Sequence, residues 1–395
     1  MKVRCGYHTG RRALTANTDT AFTRSTLFKQ PVSQKITAAI LERPDGEFRL
    51  EPVELDAPRD DEVLVRIEAC GICHTDSKSR HRLGLPAVLG HEGTGTVEAV
   101  GRNVDRVKIG QRVIISYPSC GGCPNCERRQ FWRCDRIMEL KFAGCRADGS
   151  QTISRDGQPL SSAFFQQSAF ATHALAPQRS LVPVPGDYPA ELLAALPCGV
   201  QTGAGAVLNT LDLGAGDSLV VFGAGTVGLA AVMAARIRDA ATIIAVDITD
   251  SRLQLAQELG ATHCLHGGDD DVATQIRDIL PRGMEFSLDT TGKPAMQNLA
   301  VDCLAMGGQC GLVAVGREPF PFHLFSVFSR AATVHGVIQG SAVPEEFIPG
   351  LLDYYEKGRF PFDRLITVYP FRDINRAFAD AAAGTTVKPV LKMDV

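Results

Sequence analysis

The chain has 395 residues, 45% of them hydrophobic and 22% charged, which suits about two domains of ordinary soluble composition and excludes a mainly disordered chain. A net charge of −3 argues against a nucleic-acid binder that works by bulk charge, and no continuous apolar run reaches the roughly 18–20 residues of a membrane span. There are twelve cysteines and no apolar core of a secretory signal near the start, so the cysteines are expected to bind metal rather than form disulfides.

The charge is uneven. Residues 1–34 carry Lys2, Arg4, Arg11, Arg12, Arg24 and Lys29 against Asp19, a net of +5 that leaves −8 on the other 361 residues. An Arg-rich, acid-poor start fits a mitochondrial transit peptide. A disordered tail, or a start placed too far upstream, is the commoner explanation, and a cytoplasmic protein is the default expectation. From Ile36 the pattern turns strand-like: Ile36–Leu41, a turn at Pro44-Asp45-Gly46, Phe48–Val53, Glu62–Glu68, Gly93–Val100 and Gln111–Ser116. After Leu213 strands alternate with helices. Ser218–Phe222 is a strand, and a helix follows to about Arg238. Thr242–Val246 is the next strand and ends in Asp247. Ser251–Leu259 is a helix capped by Gly260, and Phe286–Leu288 and Gln309–Val315 are further strands. Such alternation predicts a parallel sheet with helices on both faces. The end, from Pro344, mixes helix and strand.

Three constellations carry chemistry. Gly223-x-Gly225-x-x-Gly228 lies between a strand and a helix, where a dinucleotide-binding turn must lie. Gly223 permits the tight turn, Gly225 admits the pyrophosphate, and Gly228 lets helix and strand pack closely. Asp247, 24 residues on, suits a carboxylate that accepts from the adenosine ribose and repels a 2′-phosphate, which favours NAD over NADP. Second, Cys120, Cys123, Cys126 and Cys134 have the spacing of a closed, structural tetrahedral zinc site, set among turn residues. Arg128, Arg129, Arg133 and Arg136 beside them leave a zinc-ribbon nucleic-acid module as a rival, although charges of this kind usually form a solvated face. Third, Cys73, His91 and Cys198 are of metal-ligating type but have no local spacing, so only the fold can bring them together. Cys5, Cys70, Cys145, Cys264, Cys303 and Cys310 have no metal spacing and read as free thiols.

At Gly90-His91-Glu92-x2-Gly95-x5-Gly101-x2-Val104 the chain resembles the zinc-dependent medium-chain alcohol dehydrogenases. The cysteine lobe, the glycine turn and Asp247 follow in that family's order, over about residues 35–395. The string Leu196-Pro197-Cys198-Gly199-Val200-Gln201-Thr202-Gly203 is most similar to the aryl, benzyl-type members. The resemblance implies a Rossmann doubly wound domain, residues 201–338, inserted in a mainly β, GroES-like, partly barrel catalytic domain of residues 35–200 and 339–395. Residues 1–34 form an extension outside it. It also implies that Cys73, His91 and Cys198 bind a catalytic zinc, with Glu92 as an alternative ligand and Asp76 orienting His91. Thr75 would contact the substrate oxygen and start a proton relay. Lys78 stands where many members have the histidine that ends that relay, so the relay would end at solvent or at Lys78. His74 and Lys388 would meet the pyrophosphate, Arg252 the adenosine ribose, and Val334–Gly340 would pass the nicotinamide. Ser116 would sit at a pocket position often held by an aromatic residue, leaving room for a ring.

The leading expectation is a dehydrogenase with two zinc ions and NAD, interconverting a primary aryl or allylic alcohol and its aldehyde. It would be a homodimer or homotetramer that binds neither nucleic acid nor membrane. The alternatives are a glutathione-adduct (formaldehyde-type) dehydrogenase and a zinc-stabilised, non-catalytic interaction protein.

Overall fold

The computed structural model describes residues 32–394 except 315, 317 and 318. The readings made on residues 1–31 therefore lie outside the described residues, and the first strand, Gln34–Leu41, begins one residue inside the expected extension.

Two sheets lie outside the central part of the chain: one is antiparallel and comes from residues 34–159, and the other is mixed and joins strands from both ends. One has the order Ala87–Val88, Gln34–Leu41, Phe48–Leu55, Ile153–Arg155, Gln158–Pro159. The other runs Leu181–Pro183, Arg112–Ile115, Gly93–Val100, Glu62–Gly71, Lys388–Lys392, Ile366–Pro370, and His173–Pro177 also pairs with Glu62–Gly71. The pairing of Glu62–Gly71 with Gly93–Val100 slips register twice, and irregularities of this kind bend and twist a sheet toward a barrel. Alternating apolar residues put Val63, Val65 and Ile67 into one core together with Phe164, Phe170 and Phe371.

The third sheet is wholly parallel. Its order is His263–His266, Thr242–Asp247, Ser218–Phe222, Met284–Asp289, Leu304–Leu312, Thr333–Gly336, which is the 3-2-1-4-5-6 order of a dinucleotide-binding fold. Ser218–Phe222 is buried throughout, as expected of a strand covered on both faces. One boundary is corrected. The strand expected at Gln309–Val315 starts at Leu304 and ends at Leu312, with a register irregularity against Met284–Asp289. The glycines at 307 and 308 hid its first half from a reading by apolar runs.

A helical run, Ala190–Leu211, has the length and apolar composition to cross a membrane, although Glu191, Gln201 and Asn209 interrupt its apolar run. In the fold it is a core element, with 89% of its most apolar window buried, packed with the helix Thr226–Ile237. Residues 196–200 within it take wide π-helical turns, a local geometry often found at functional sites, and Cys198 stands in that stretch.

Candidate active site

Three elements bring the dispersed donors together. Cys73 follows the strand Glu62–Gly71 and caps the short helix His74–Ser79, with its backbone extended and its Sγ accepting from Thr75 N–H at 3.5 Å. The helix replies through Asp76, whose Oδ2 accepts from Cys73 N–H at 2.9 Å, so both ends of a capping box are filled. His91 precedes the strand Gly93–Val100, and Cys198 comes from the π-helical turn. The donor atoms of Cys73, His91, Glu92 and Cys198 all lie within 4.8 Å of one another.

The donor set fits zinc. Cys73 Sγ and Cys198 Sγ are 3.8 Å apart. A tetrahedral zinc with Zn–S bonds of about 2.3 Å requires S···S of about 3.8 Å. His91 Nδ1 meets Asp76 Oδ1 at 2.9 Å, while its Nε2 is buried without a partner. A buried, orphaned imidazole nitrogen is costly unless it finds a partner, and a metal that displaces its proton would be one. Glu92 Oε1 is likewise buried and unpartnered, and Glu92 Oε2 is ion-paired with Lys388 Nζ. The Cys73 thiol is held well below its ordinary pKa by the hydrogen bond with Cys198, helped by His91 against its burial. Burial alone would lower His91, but the charge and hydrogen bond of Asp76 outweigh it and raise His91 to about 10. The site is thus electronegative and organised to receive a cation.

The second cluster is closed. The donor atoms of Cys120, Cys123, Cys126 and Cys134 lie within 4.8 Å of one another, with Cys120 Sγ and Cys126 Sγ 3.9 Å apart. Cys134 Sγ accepts from Cys120 N–H at 3.2 Å, and Asn125 Nδ2 donates to the Arg133 carbonyl and to Asp135 Oδ1, both at 2.9 Å. Hydrogen bonds from the Asp135 and Cys126 backbone lower Cys123 to about 6. Four thiols leave no place for a substrate, so this cluster fits a zinc that folds the lobe.

The glycine turn has the geometry its spacing predicts. Gly223 has φ of +94°, and a Cβ there would meet Thr290 Oγ1 at 2.5 Å. A Cβ on Gly228 would collide with the Gly223 carbonyl, whereas one on Gly225 would meet nothing, so Gly225 faces open space into which a pyrophosphate fits. Asp247 is buried at its strand end, where it accepts from Ala224 N–H at 2.6 Å and from Thr249 N–H at 2.9 Å. The acid expected to read the ribose therefore also fixes the glycine turn.

The comparisons with known proteins agree with this geometry. The family profile of the alcohol dehydrogenase GroES-like domain matches residues 59–186, and that of the zinc-binding dehydrogenases matches residues 226–357. A geraniol dehydrogenase from Castellaniella defragrans is 43% identical over 360 residues, covering 90% of this chain and 96% of the relative. The chain belongs to the zinc-dependent medium-chain alcohol dehydrogenases. The crystal structure of a benzyl alcohol dehydrogenase from Acinetobacter calcoaceticus superposes with a TM-score of 0.88 at 39% identity, over 91% of this chain and 99% of that one. An S-(hydroxymethyl)glutathione dehydrogenase from Saccharomyces cerevisiae is 32% identical, covering 91% and 97%. As an alcohol dehydrogenase of this family, the protein is an oxidoreductase that uses zinc and NAD.

Within this dehydrogenase the other expected residues are placed as follows. Thr75 is half-buried and His74 exposed in the first turn after Cys73. Arg252 is half-buried on the helix Asp250–Leu259. Lys388, expected at the pyrophosphate, has its ammonium buried against Glu92 and the Ile72 carbonyl. A buried ammonium needs a compensating carboxylate, and Glu92 supplies it. Ser116 is buried with an unpartnered Oγ. Near the structural lobe, Arg129 pairs with Glu345 and Glu346, and Arg136 with Glu139, which takes both into the protein's own ion pairs.

Sequence reasoning missed two supports. Gln167 is buried. Its Oε1 accepts from Gly93 N–H at 3.1 Å and its Nε2 donates to the His91 carbonyl at 3.0 Å, clamping the backbone on either side of Glu92. The His91 ring stacks on Phe165 at 4.3 Å and meets Phe164 edge-on at 5.5 Å. The pair Phe164-Phe165 carries an aromatic signal in the sequence, but no spacing ties it to His91.

Proposed function

We propose that the protein oxidises primary aryl or allylic alcohols to aldehydes with NAD, and runs the reverse reaction. The carrying observation is the donor cluster of Cys73, His91 and Cys198, with the free Nε2 of His91, set against the aromatic wall of Phe164 and Phe165. The similarity to geraniol and benzyl alcohol dehydrogenases supports that substrate class.

In this reading Cys73, His91 and Cys198 hold the catalytic zinc, Glu92 is an alternative ligand to it, and Cys120, Cys123, Cys126 and Cys134 hold the structural one. Bound zinc supplies Lewis acidity toward the alcohol oxygen, and bound NAD accepts the hydride. Asp76 keeps the His91 proton on Nδ1 and so aims Nε2 at the metal. The Thr75 hydroxyl takes the alcohol proton and hands it outward, toward solvent or Lys78. Phe164 and Phe165 exclude water. Gly223, Gly225 and Gly228 receive the pyrophosphate, with His74 beside it, and Asp247 and Arg252 bind the adenosine ribose.

Residues 201–338 form the coenzyme domain, and residues 35–200 with 339–395 form the catalytic one, which is supported by the division of the parallel sheet from the other two. A homodimer is supported by the outer strand Thr333–Gly336 of the parallel sheet, which has an unpaired edge beside exposed Leu324, Phe325 and Phe328. The described cysteines are free, which suits a reducing compartment such as the cytoplasm.

A panel of benzyl, cinnamyl, geranyl and saturated alcohols, each with NAD and with or without glutathione, tests this reading. Turnover of the unsaturated alcohols without glutathione supports it. Turnover that requires glutathione and formaldehyde would transfer the protein to the adduct-oxidising class.

A further inference from the structure

Lys141 is a buried ammonium that the chemistry above does not use. It stands on the helix Ile137–Phe142 and is 5% exposed. Among the described residues no carboxylate accompanies it, and the one ionisable group acting on it is Cys198 of the donor cluster. Its Nζ lies instead 5.5 Å from the centre of the Tyr117 ring and 5.3 Å from that of Phe165. Phe165 in turn stacks on His91. The Tyr117 hydroxyl donates to the Ala342 carbonyl at 2.6 Å, so Tyr117 meets the ammonium with its ring.

An ammonium removed from water without a counter-ion is unfavourable, and burial lowers Lys141 to about 8 while Cys198 acts the other way. The two ring faces offset part of the cost of burial. A saturated hydrocarbon entering beside the ammonium adds nothing to that compensation, whereas a ring or double bond brings a third π face.

We propose that Lys141 is a specificity-determining residue: with Tyr117 and Phe165 it forms a cation–π set that takes, as its third partner, the ring or double bond of the alcohol held at Cys73, His91 and Cys198. It thereby favours aryl and allylic alcohols over saturated ones of equal size. The inference rests on the alcohol dehydrogenase reading and supplies a physical cause for its substrate class.

The test uses the zinc-loaded enzyme with NAD and two matched pairs, benzyl alcohol against cyclohexylmethanol and geraniol against its fully saturated analogue. Unsaturated alcohols have intrinsically weaker C–H bonds, so the readout is the change in the kcat/KM ratio on substitution, from which that term cancels. Lys141→Met, which keeps the shape and removes the charge, is expected to lower the unsaturated-to-saturated ratio about 2- to 30-fold. Lys141→Arg, which keeps the charge, should retain most of it. The Kd values of toluene and methylcyclohexane as inert competitors should shift in the same sense, a readout independent of hydride transfer. An unchanged ratio in Lys141→Met overturns the inference, as does an equal loss on both members of each pair, which is the mark of a structural role. A loss confined to substrates with a distal carboxylate, such as 4-carboxybenzyl alcohol, makes Lys141 an anion site and also overturns it. Absence of turnover by the wild type defeats the parent reading along with the inference, whereas turnover with an unmoved ratio defeats the inference alone.

Discussion

Asp76 Oδ1 lies 2.9 Å from His91 Nδ1, and both side chains are buried. The same carboxylate takes the backbone N–H of Cys73 on its other oxygen and that of Gly90 on Oδ1. One acid thus sets two of the three donors proposed for the catalytic metal. Replacing it as Asp76→Ala strands three buried donors, and zinc affinity at this site is expected to fall about 10- to 100-fold. Competition with a chelator measures this, and an affinity equal to the wild type's would show that His91 is held by its packing on Phe164 and Phe165 instead.

The cysteine lobe is expected to bind metal independently of the catalytic site. Metal analysis of the wild type should give about two zinc per chain, and Cys126→Ser about one. Loss of the lobe's metal should also expose the segment between Cys120 and Cys134 to proteolysis, since its helices are only four and three residues long and Phe131 and Trp132 are only partly buried. An unchanged zinc content in Cys126→Ser would contradict the assignment.

The Asp247 carboxylate holds the Ala224 amide of the glycine turn, and in the proposed reading it would also repel a 2′-phosphate. Asp247→Gly is therefore expected to raise KM for NAD and to shift the NAD/NADP preference toward NADP. Steady-state kinetics with both cofactors decide the matter. A preference that does not move while KM rises would leave Asp247 only its structural role.

What the sequence revealed follows the reach of each signal. The glycine turn, the four-cysteine lobe and most strands are local patterns, in which a turn, a metal or a sheet face constrains residues a few positions apart. Cys73, His91 and Cys198 are separated by 18 and 107 positions, and only the resemblance to a family joined them. Gln167 and the pair Phe164-Phe165 were missed because hydrogen bonds and ring stacking across the fold have no spacing to read. The ion pair of Lys388 with Glu92 was missed for a related reason. The antiparallel register that sets Val390 opposite Gly71 also carries the start of that strand to Glu92, and no local pattern announces this.

In the proposed reading, the outer strand Thr333–Gly336 and exposed Phe328 would be the contact edge of the expected homodimer or homotetramer. Phe328→Asp places a charge on that apolar edge without touching the donor cluster. Light scattering should then show a lower mass in solution than for the wild type, with the zinc content retained. A wild-type mass of a single chain, or an unchanged mass in the variant, would remove this edge from the interface.

The central claim is that Cys73, His91 and Cys198 carry out metal-dependent alcohol oxidation with NAD. Its most direct test is the rate of NADH formation from benzyl alcohol by the zinc-loaded protein in the absence of glutathione, measured beside His91→Ala. Saturable NADH formation by the wild type and its loss in the variant are the predicted results. No NADH from the wild type, or the same rate from both proteins, would contradict the account.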